Sequence, residues 1–249
     1  PLEKQSIVII LGSAPDAVDA AAWELPGGAQ LVAINNAWRV RDGWNYLIHP
    51  DDFSPDNRPR SVGSDQNIIT SGSYVPAQNR YGGFVYAGGT MAFTAGYWAL
   101  DALKPDVLAW FGCDMVYSGA KSHFYGQGDA DPLRDDVTLQ SLEAKSARLM
   151  ALAARQGCIC VNLSDQPESR LLFPRSSIDE IYGYDRSPMI DNGTVNAALK
   201  AEAELGYMVE NGEYWKHTDL FDPEALTGID RLWLEAVRAP RERSLGKPR

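Results

Sequence analysis

The chain has 249 residues, 45% of them hydrophobic and 22% charged, and a formal net charge of −10. That length and composition suit one large α/β domain, or one domain with an appendage, and exclude a disordered chain. The acidity disfavours nucleic acid and anionic membrane surfaces as partners, because both need clustered Lys and Arg. No apolar run is long enough for a transmembrane helix.

At the N-terminus, PLEKQSIVIILG has charges ahead of a short apolar run with no small-residue cleavage site, which predicts a strand and not a signal peptide. Residues 6–11 form that strand, followed by Gly12-Ser13-Ala14-Pro15-Asp16 and a helix as far as Pro26-Gly27-Gly28. Leu31–Ile34 predicts a second strand ending in Asn35-Asn36, and Tyr46–Ile48 a third ending in His49-Pro50-Asp51-Asp52. Residues 53–89 are irregular, with a weak strand at 67–70 and another at 83–86. A helix over 90–103 and a strand over 107–111 follow, the strand ending in Gly112-Cys113-Asp114. After a polar loop come a long helix over 137–156 and a strand over 159–163. Strands and helices alternating through short connections predict a parallel sheet. The expected fold is therefore α/β, with a doubly wound, mostly parallel Rossmann-like domain over 1–175. A helical C-terminal appendage over 176–249 would serve as a lid or an oligomerisation element, which leaves a homo-oligomer open. The three cysteines, Cys113, Cys158 and Cys160, lack a second cysteine pair or suitably spaced histidines for zinc. They are expected to be core thiols in a reducing, cytoplasmic setting.

Ligands of open parallel sheets bind outside the carboxyl ends of the strands. Here those ends carry Gly12-Ser13, Asn35-Asn36, His49, Gly112-Cys113-Asp114 and Asn162-Leu163-Ser164. The first turn resembles a phosphate-binding turn but lacks the dinucleotide fingerprint, since positions 14 and 17 are Ala. The second strand ends in Asn, not in the acidic residue that holds an NAD ribose, and no Walker A loop is present. Asn side chains both donate and accept, which suits a ribose or a base edge.

Three segments, I-V-I-I-L-G-S-A-P-D, V-A-I-N-N-A-W and A-G-G-T-M-A-F-T-A with its following V-L-A-W-F-G-C-D-M-V-Y, occur in this order over about residues 6–165. Together they resemble the bacterial sialyltransferases that use CMP-sialic acid, and the related motility-accessory and 6-hydroxymethylpterin-diphosphokinase-like (DUF115-type) proteins. The resemblance implies that Ser13, Asn36, His49 and the Gly88-Gly89-Thr90 turn line a nucleotide, beside Gly12 and Asn35 of the first turn and second strand end. It implies that Asp114 sits under the site and that Tyr117, with Tyr125 or His123, donates hydrogen bonds to a leaving phosphate, so that no metal is required. The family's general-base histidine aligns with Gln127, which cannot accept a proton; His123 is the nearby histidine able to take that part.

Asp129-Ala130-Asp131 and Asp51-Asp52 are candidate Mg²⁺ or Mn²⁺ ligands, although acidic doublets arise readily by chance in a chain with 33 acidic residues. Arg134, Arg170 and Arg175 are candidate partners for a phosphate or carboxylate. The expected function is a nucleotide-sugar-dependent glycosyltransferase acting on a small-molecule donor and an unidentified acceptor. The alternatives are a pterin-type diphosphokinase using ATP and Mg²⁺, with Asp114 and Asp51 or Asp129 on the metal, and a non-catalytic nucleotide- or sugar-binding protein. Residues 231–249 hold six basic and two acidic side chains, net +4, which leaves −14 on the first 230 residues.

Overall fold

A computed structural model describes residues 5–117, 122–126 and 135–237. The first strand, β1 (Ile7–Leu11), is buried along its whole length. Val8 and Ile10 join the core on one face of the sheet, while Ile7, Ile9 and Leu11 join the core on the other. A strand apolar on both faces belongs in the middle of a covered sheet, and β1 lies there. Its neighbours are β2 (Gln30–Ile34) and β5 (Val107–Phe111), both parallel to it. The sheet continues outward through β3 (Tyr46–Ile48) to β4 (Asn67–Ile69) on one side and β6 (Ile159–Asn162) on the other. The order is β4-β3-β2-β1-β5-β6, and every pairing is parallel. The chain is thus an α/β protein with a doubly wound, Rossmann-like sheet whose direction of winding reverses between β1 and β5.

The first face is covered by α1 (Ser71–Asn79), α3 (Met91–Ala102) and α4 (Leu142–Arg155), with the short α2 (Phe84–Ala87) between the first two. The second face is covered by 3₁₀ turns over Pro15–Ala22 and Asn35–Val40, and by Ile178, Ile181 and Tyr184. Residues beyond 175 therefore contribute to both sides of the molecule. On the far side of α4, α5 (Asn192–Leu205) and α6 (Pro223–Ala236) complete a third core with Ala144, Ala147 and Ala151. Among the described residues, no helix is long and apolar enough to cross a membrane.

Four elements differ from their sequence expectations. Residues 84–87 are helical and not a strand, because Gly82 and Gly83 take positive φ (93° and 86°) and Ala87 N donates to Gly83 O. A short apolar run buried on all sides has no periodicity to tell the two apart. The helix after β1 is a 3₁₀ turn, with Ala17 and Ala20 buried three residues apart. The long helix expected over 137–156 is broken: Ser141 caps α4 by accepting from Ala144 N, after a separate turn over Val137–Leu139. Within residues 53–89, expected to be irregular, Ser71–Asn79 form α1, with Pro76 inside it. All three cysteines are free and buried, as expected.

Candidate functional site

The carboxyl ends of β1 and β5 are pressed together. Gly12 N donates to Phe111 O at 2.8 Å, and Ala14 N to Gly112 O at 3.0 Å. A Cβ on Gly12 would lie 2.2 Å from Gly112 O and 2.5 Å from Cys113 Sγ, so no other residue fits there. Gly112 itself has φ 66°, in the left-handed region.

Asp114 follows this contact and is nearly fully buried. Its Oδ1 accepts from Asn162 Nδ2 at 3.1 Å, its Oδ2 from Ser164 Oγ, and its backbone O from Arg170 N. The carboxylate is thus fixed by the end of β6, at the carboxyl edge of the sheet beside β1.

At this edge lies a tight turn in which His123 and Gly126 exchange backbone hydrogen bonds of 3.0 Å. Phe124 N, at the tip of the turn, donates to Ser13 O at 2.9 Å. This bond joins two segments 111 residues apart in sequence and brings the histidine turn to the β1 turn. There the His123 ring stacks on Tyr125 at 5.0 Å and lies 6.5 Å from Tyr117. The Nδ1 of His123 is 2.9 Å from Ser122 Oγ. Burial pushes the imidazole pKa below the usual 6.5, which favours the uncharged ring at neutral pH.

The ends of β2 and β3 extend the same row. Leu11 pairs with Ala33 and Ile34 with Ile48, so Ser13, Asn35 and His49 sit on successive strand ends, about 4.8 Å apart. Asn35 has φ 50°, which Asn tolerates better than most residues. The side-chain oxygens of Asn35, Asn36 and Asp16 are buried without hydrogen-bond partners. Three such acceptors at adjacent strand ends need donors, since buried polar atoms are normally paired. Burial raises the pKa of Asp16, and nearby Asp114 and Asp165 add to the shift. His49 is 2% exposed; its Nδ1 donates to Pro50 O at 2.8 Å and its ring lies against Phe53 at 5.0 Å.

The structure treats the remaining candidates differently. The backbone donors of Gly88 and Gly89 in the Gly88-Gly89-Thr90 turn already have partners. Gly88 N donates to Phe84 O and Gly89 N to Thr138 Oγ1 at 2.9 Å, while Thr90 Oγ1 caps α3 by accepting from Phe93 N. Tyr214 also roofs the turn: a Cβ on Gly89 would lie 2.1 Å from its hydroxyl, which donates to Asp136 at 2.9 Å. The guanidinium of Arg170 pairs with Glu143 at 3.0 Å on the surface, and only the Arg170 backbone reaches Asp114. Arg175 donates to Ser164 O at 2.6 Å. Asp51 accepts from Ser71 Oγ at 2.6 Å, away from Asp114 and its partners. Among the described residues, no group of three His, Cys, Asp or Glu could hold a metal ion. Gln127, Asp129, Asp131 and Arg134 lie outside the described residues. Sequence reasoning missed Asp16 and Tyr214. The position of Asp16 one residue after Pro15 at the start of a turn reads as an ordinary cap, and Tyr214 acts across 78 residues.

These features define an α/β protein in which Ser13, Asn35, His49, Asp114 and the His123 turn gather at the carboxyl edge of the sheet, around its topological switch point, the place where such folds bind their ligands. The chain matches no protein-family model, no curated protein and no solved structure.

Proposed function

We propose that the protein is a transferase that binds a nucleotide-linked sugar at the β1/β5 switch point and passes the sugar to an acceptor hydroxyl. The observation that carries this is the Phe124 N to Ser13 O bond, which sets His123, Tyr117 and Tyr125 over the β1 turn. The unpaired acceptors of Asn35, Asn36 and Asp16 supply partners for ribose hydroxyls or a base amino group. The Rossmann-like sheet and the resemblance to CMP-sialic-acid sialyltransferases support the same reading.

In this reaction the acceptor oxygen attacks the anomeric carbon and the bond from that carbon to the nucleotide phosphate breaks. The acceptor proton passes to His123. With Nδ1–H donating to Ser122 Oγ, Nε2 keeps the lone pair that takes it. The Tyr117 and Tyr125 hydroxyls donate to the departing phosphate, in place of a metal, as its negative charge develops. A monophosphate-linked donor also suits the local charge. Asp16, Asp114 and Asp165 would repel a triphosphate that came without a divalent cation.

Thermal-shift measurements with CMP, CDP, UDP, GDP and ATP, each with and without Mg²⁺, test the reading. Stabilisation by a cytidine nucleotide without metal is expected. Stabilisation by ATP only with Mg²⁺ would favour diphosphate transfer, and no shift with any nucleotide would remove the proposal's basis. With a donor in hand, kcat/KM should be flat above about pH 6.5 and fall below it, as His123 takes up a proton. His123→Ala should lower kcat by about 10²–10⁴-fold. Unchanged turnover would exclude His123 as the base, and nucleotide binding with no turnover would leave a binding module.

A further inference from the structure

On the flank of β2 and β3, reaching the segments that enter β3 and β4, is a groove of about 590 Å³, which is the size of a small-molecule pocket. Its lining includes Trp38, Arg39, Arg58 and Arg60, together with Asp42 and Asp56. Trp38 Nε1 donates to Asn57 O at 2.9 Å and Arg39 Nη2 to Asn57 Oδ1 at 3.0 Å, with the Arg39 guanidinium 5.5 Å from the Trp38 ring. Arg58 is held by Phe53 O through Nε at 3.1 Å and Nη2 at 2.7 Å. Its Nη1 has no protein partner, and neither has any donor of Arg60, among the described residues.

This is unusual in a chain where acidic residues outnumber basic ones 33 to 23. The described Lys and Arg ion pairs are with Asp101, Asp230, Glu202, Glu143, Glu204 and Glu213, and none involves these three arginines. The groove therefore holds guanidinium groups, those of Arg39 and Arg58 fixed by hydrogen bonds, that form no ion pair with the carboxylates lining the same space. Three arginines against two aspartates leave +1. That balance suits a ligand of low negative charge better than a polyphosphate. Carboxylates beside an indole are also the usual equipment for a sugar, with hydroxyls donating to the carboxylates and the C–H face lying on the ring.

We infer that this groove binds a hexose carrying one anionic group, a carboxylate or a phosphate monoester, and that this sugar is the acceptor. The acceptor role rests on the proposed transferase function; the binding does not. The groove adjoins the nucleotide residues through two connections. Asn36 and Arg39 lie on the same 3₁₀ turn, about 6 Å apart along its axis. Phe53, whose carbonyl anchors Arg58, packs on His49 at the end of β3.

Calorimetric titration of the full chain with glucuronate, glucose 6-phosphate, glucose and inorganic phosphate tests this. At least one charged sugar should bind about tenfold or more tightly than glucose or phosphate alone, since both the guanidinium pairing and the ring contact are then used. Whichever charged sugar binds better identifies the anionic group. Arg60→Gln, on an exposed side chain not needed for folding, should weaken that binding about tenfold and leave the nucleotide-induced melting shift unchanged. Arg58→Gln is the second variant. Equal affinity for charged and neutral sugar, phosphate binding as tightly as the sugar phosphate, or an Arg60→Gln protein with wild-type affinity would each overturn the inference. Sugar binding without any nucleotide shift would defeat the transferase function and leave the groove standing, and the reverse result would do the opposite.

Discussion

Replacing Gly12 by Ala tests whether the fold and the switch point depend on one contact. The new methyl carbon would lie 2.2 Å from the Gly112 carbonyl oxygen and 2.5 Å from Cys113 Sγ. The first of these is backbone, and Gly112 is itself packed against Ala17 and held in the left-handed region. Relief therefore requires β1 and β5 to separate at their carboxyl ends, which strains the bonds from Gly12 N to Phe111 O and from Ala14 N to Gly112 O. Overpacking costs about 1–3 kcal/mol and each weakened hydrogen bond about 1 kcal/mol, so a loss of about 2–5 kcal/mol is expected. For a chain of this size that lowers Tm by roughly 5–15 °C. The assay is thermal unfolding of Gly12→Ala beside Gly72→Ala, whose added methyl in the first turn of α1 meets nothing within 4 Å. The control should melt at or slightly above the wild-type temperature, because Ala is the better helix former. The Gly12 variant should also lose its nucleotide-induced shift. A Gly12→Ala protein that melts within about 1 °C of wild type would refute the claim that the two strand ends have no room between them.

Two further outcomes follow from buried charge. Asp16 holds its proton more tightly in the folded than in the unfolded chain, so its contribution to stability declines as pH rises from the unfolded value of 3.8. Asp16→Asn should therefore gain melting temperature over wild type at pH 7 and gain less at pH 4, while its nucleotide shift shrinks; equal gains at both pH values would contradict the assigned burial. On the other side of the molecule, Arg148 donates to both oxygens of Glu202 at 2.8 Å, which also accept from Trp233 Nε1 at 2.9 Å. Glu202→Gln leaves a buried guanidinium without its counter-ion, a loss of about 3–5 kcal/mol by denaturant unfolding, and Arg148→Met with Glu202→Leu should recover most of it. A single variant as stable as wild type would mean that this pair does not tie α5 to α4.

The sequence carried the sheet because each inner strand is a short apolar run ending in small or polar residues. Ile7–Leu11 before Gly12 and Val107–Phe111 before Gly112 are the clearest cases. It also carried the row of strand-end residues, since a parallel sheet aligns those ends whatever the loops do. It did not carry the helical state of residues 84–87, which is set by positive φ at Gly82 and Gly83 and by burial on every side. Nor did it carry the covering of Gly89 by Tyr214 or the pairing of Arg148 with Glu202. Those contacts span 125 and 54 residues, and no local pattern marks either partner. The distinction is physical: strand ends follow from local hydrophobic pattern, whereas the roof of Tyr214 over the turn before α3 and the Glu202 clamp on α4 depend on where the chain beyond residue 190 packs.

The same distinction bears on how an acidic protein can hold an anion. The first 230 residues carry −14, and of their acidic residues Asp16, Asp114 and Asp165 lie close together at the switch point. A phosphate placed there gains little from net charge, so its stabilisation must come from the hydroxyls of Tyr117 and Tyr125 and from local dipoles. Positive charge is concentrated instead in the Trp38 groove, where the arginines lie apart from the described ion pairs. The two regions thus divide the work by chemistry. On the proposed function, the switch point would take a singly charged phosphodiester with many hydroxyls, and on the further inference the groove would take a ligand that brings its own anionic group. On that reading His123, whose burial favours the uncharged ring, takes the proton of an acceptor hydroxyl.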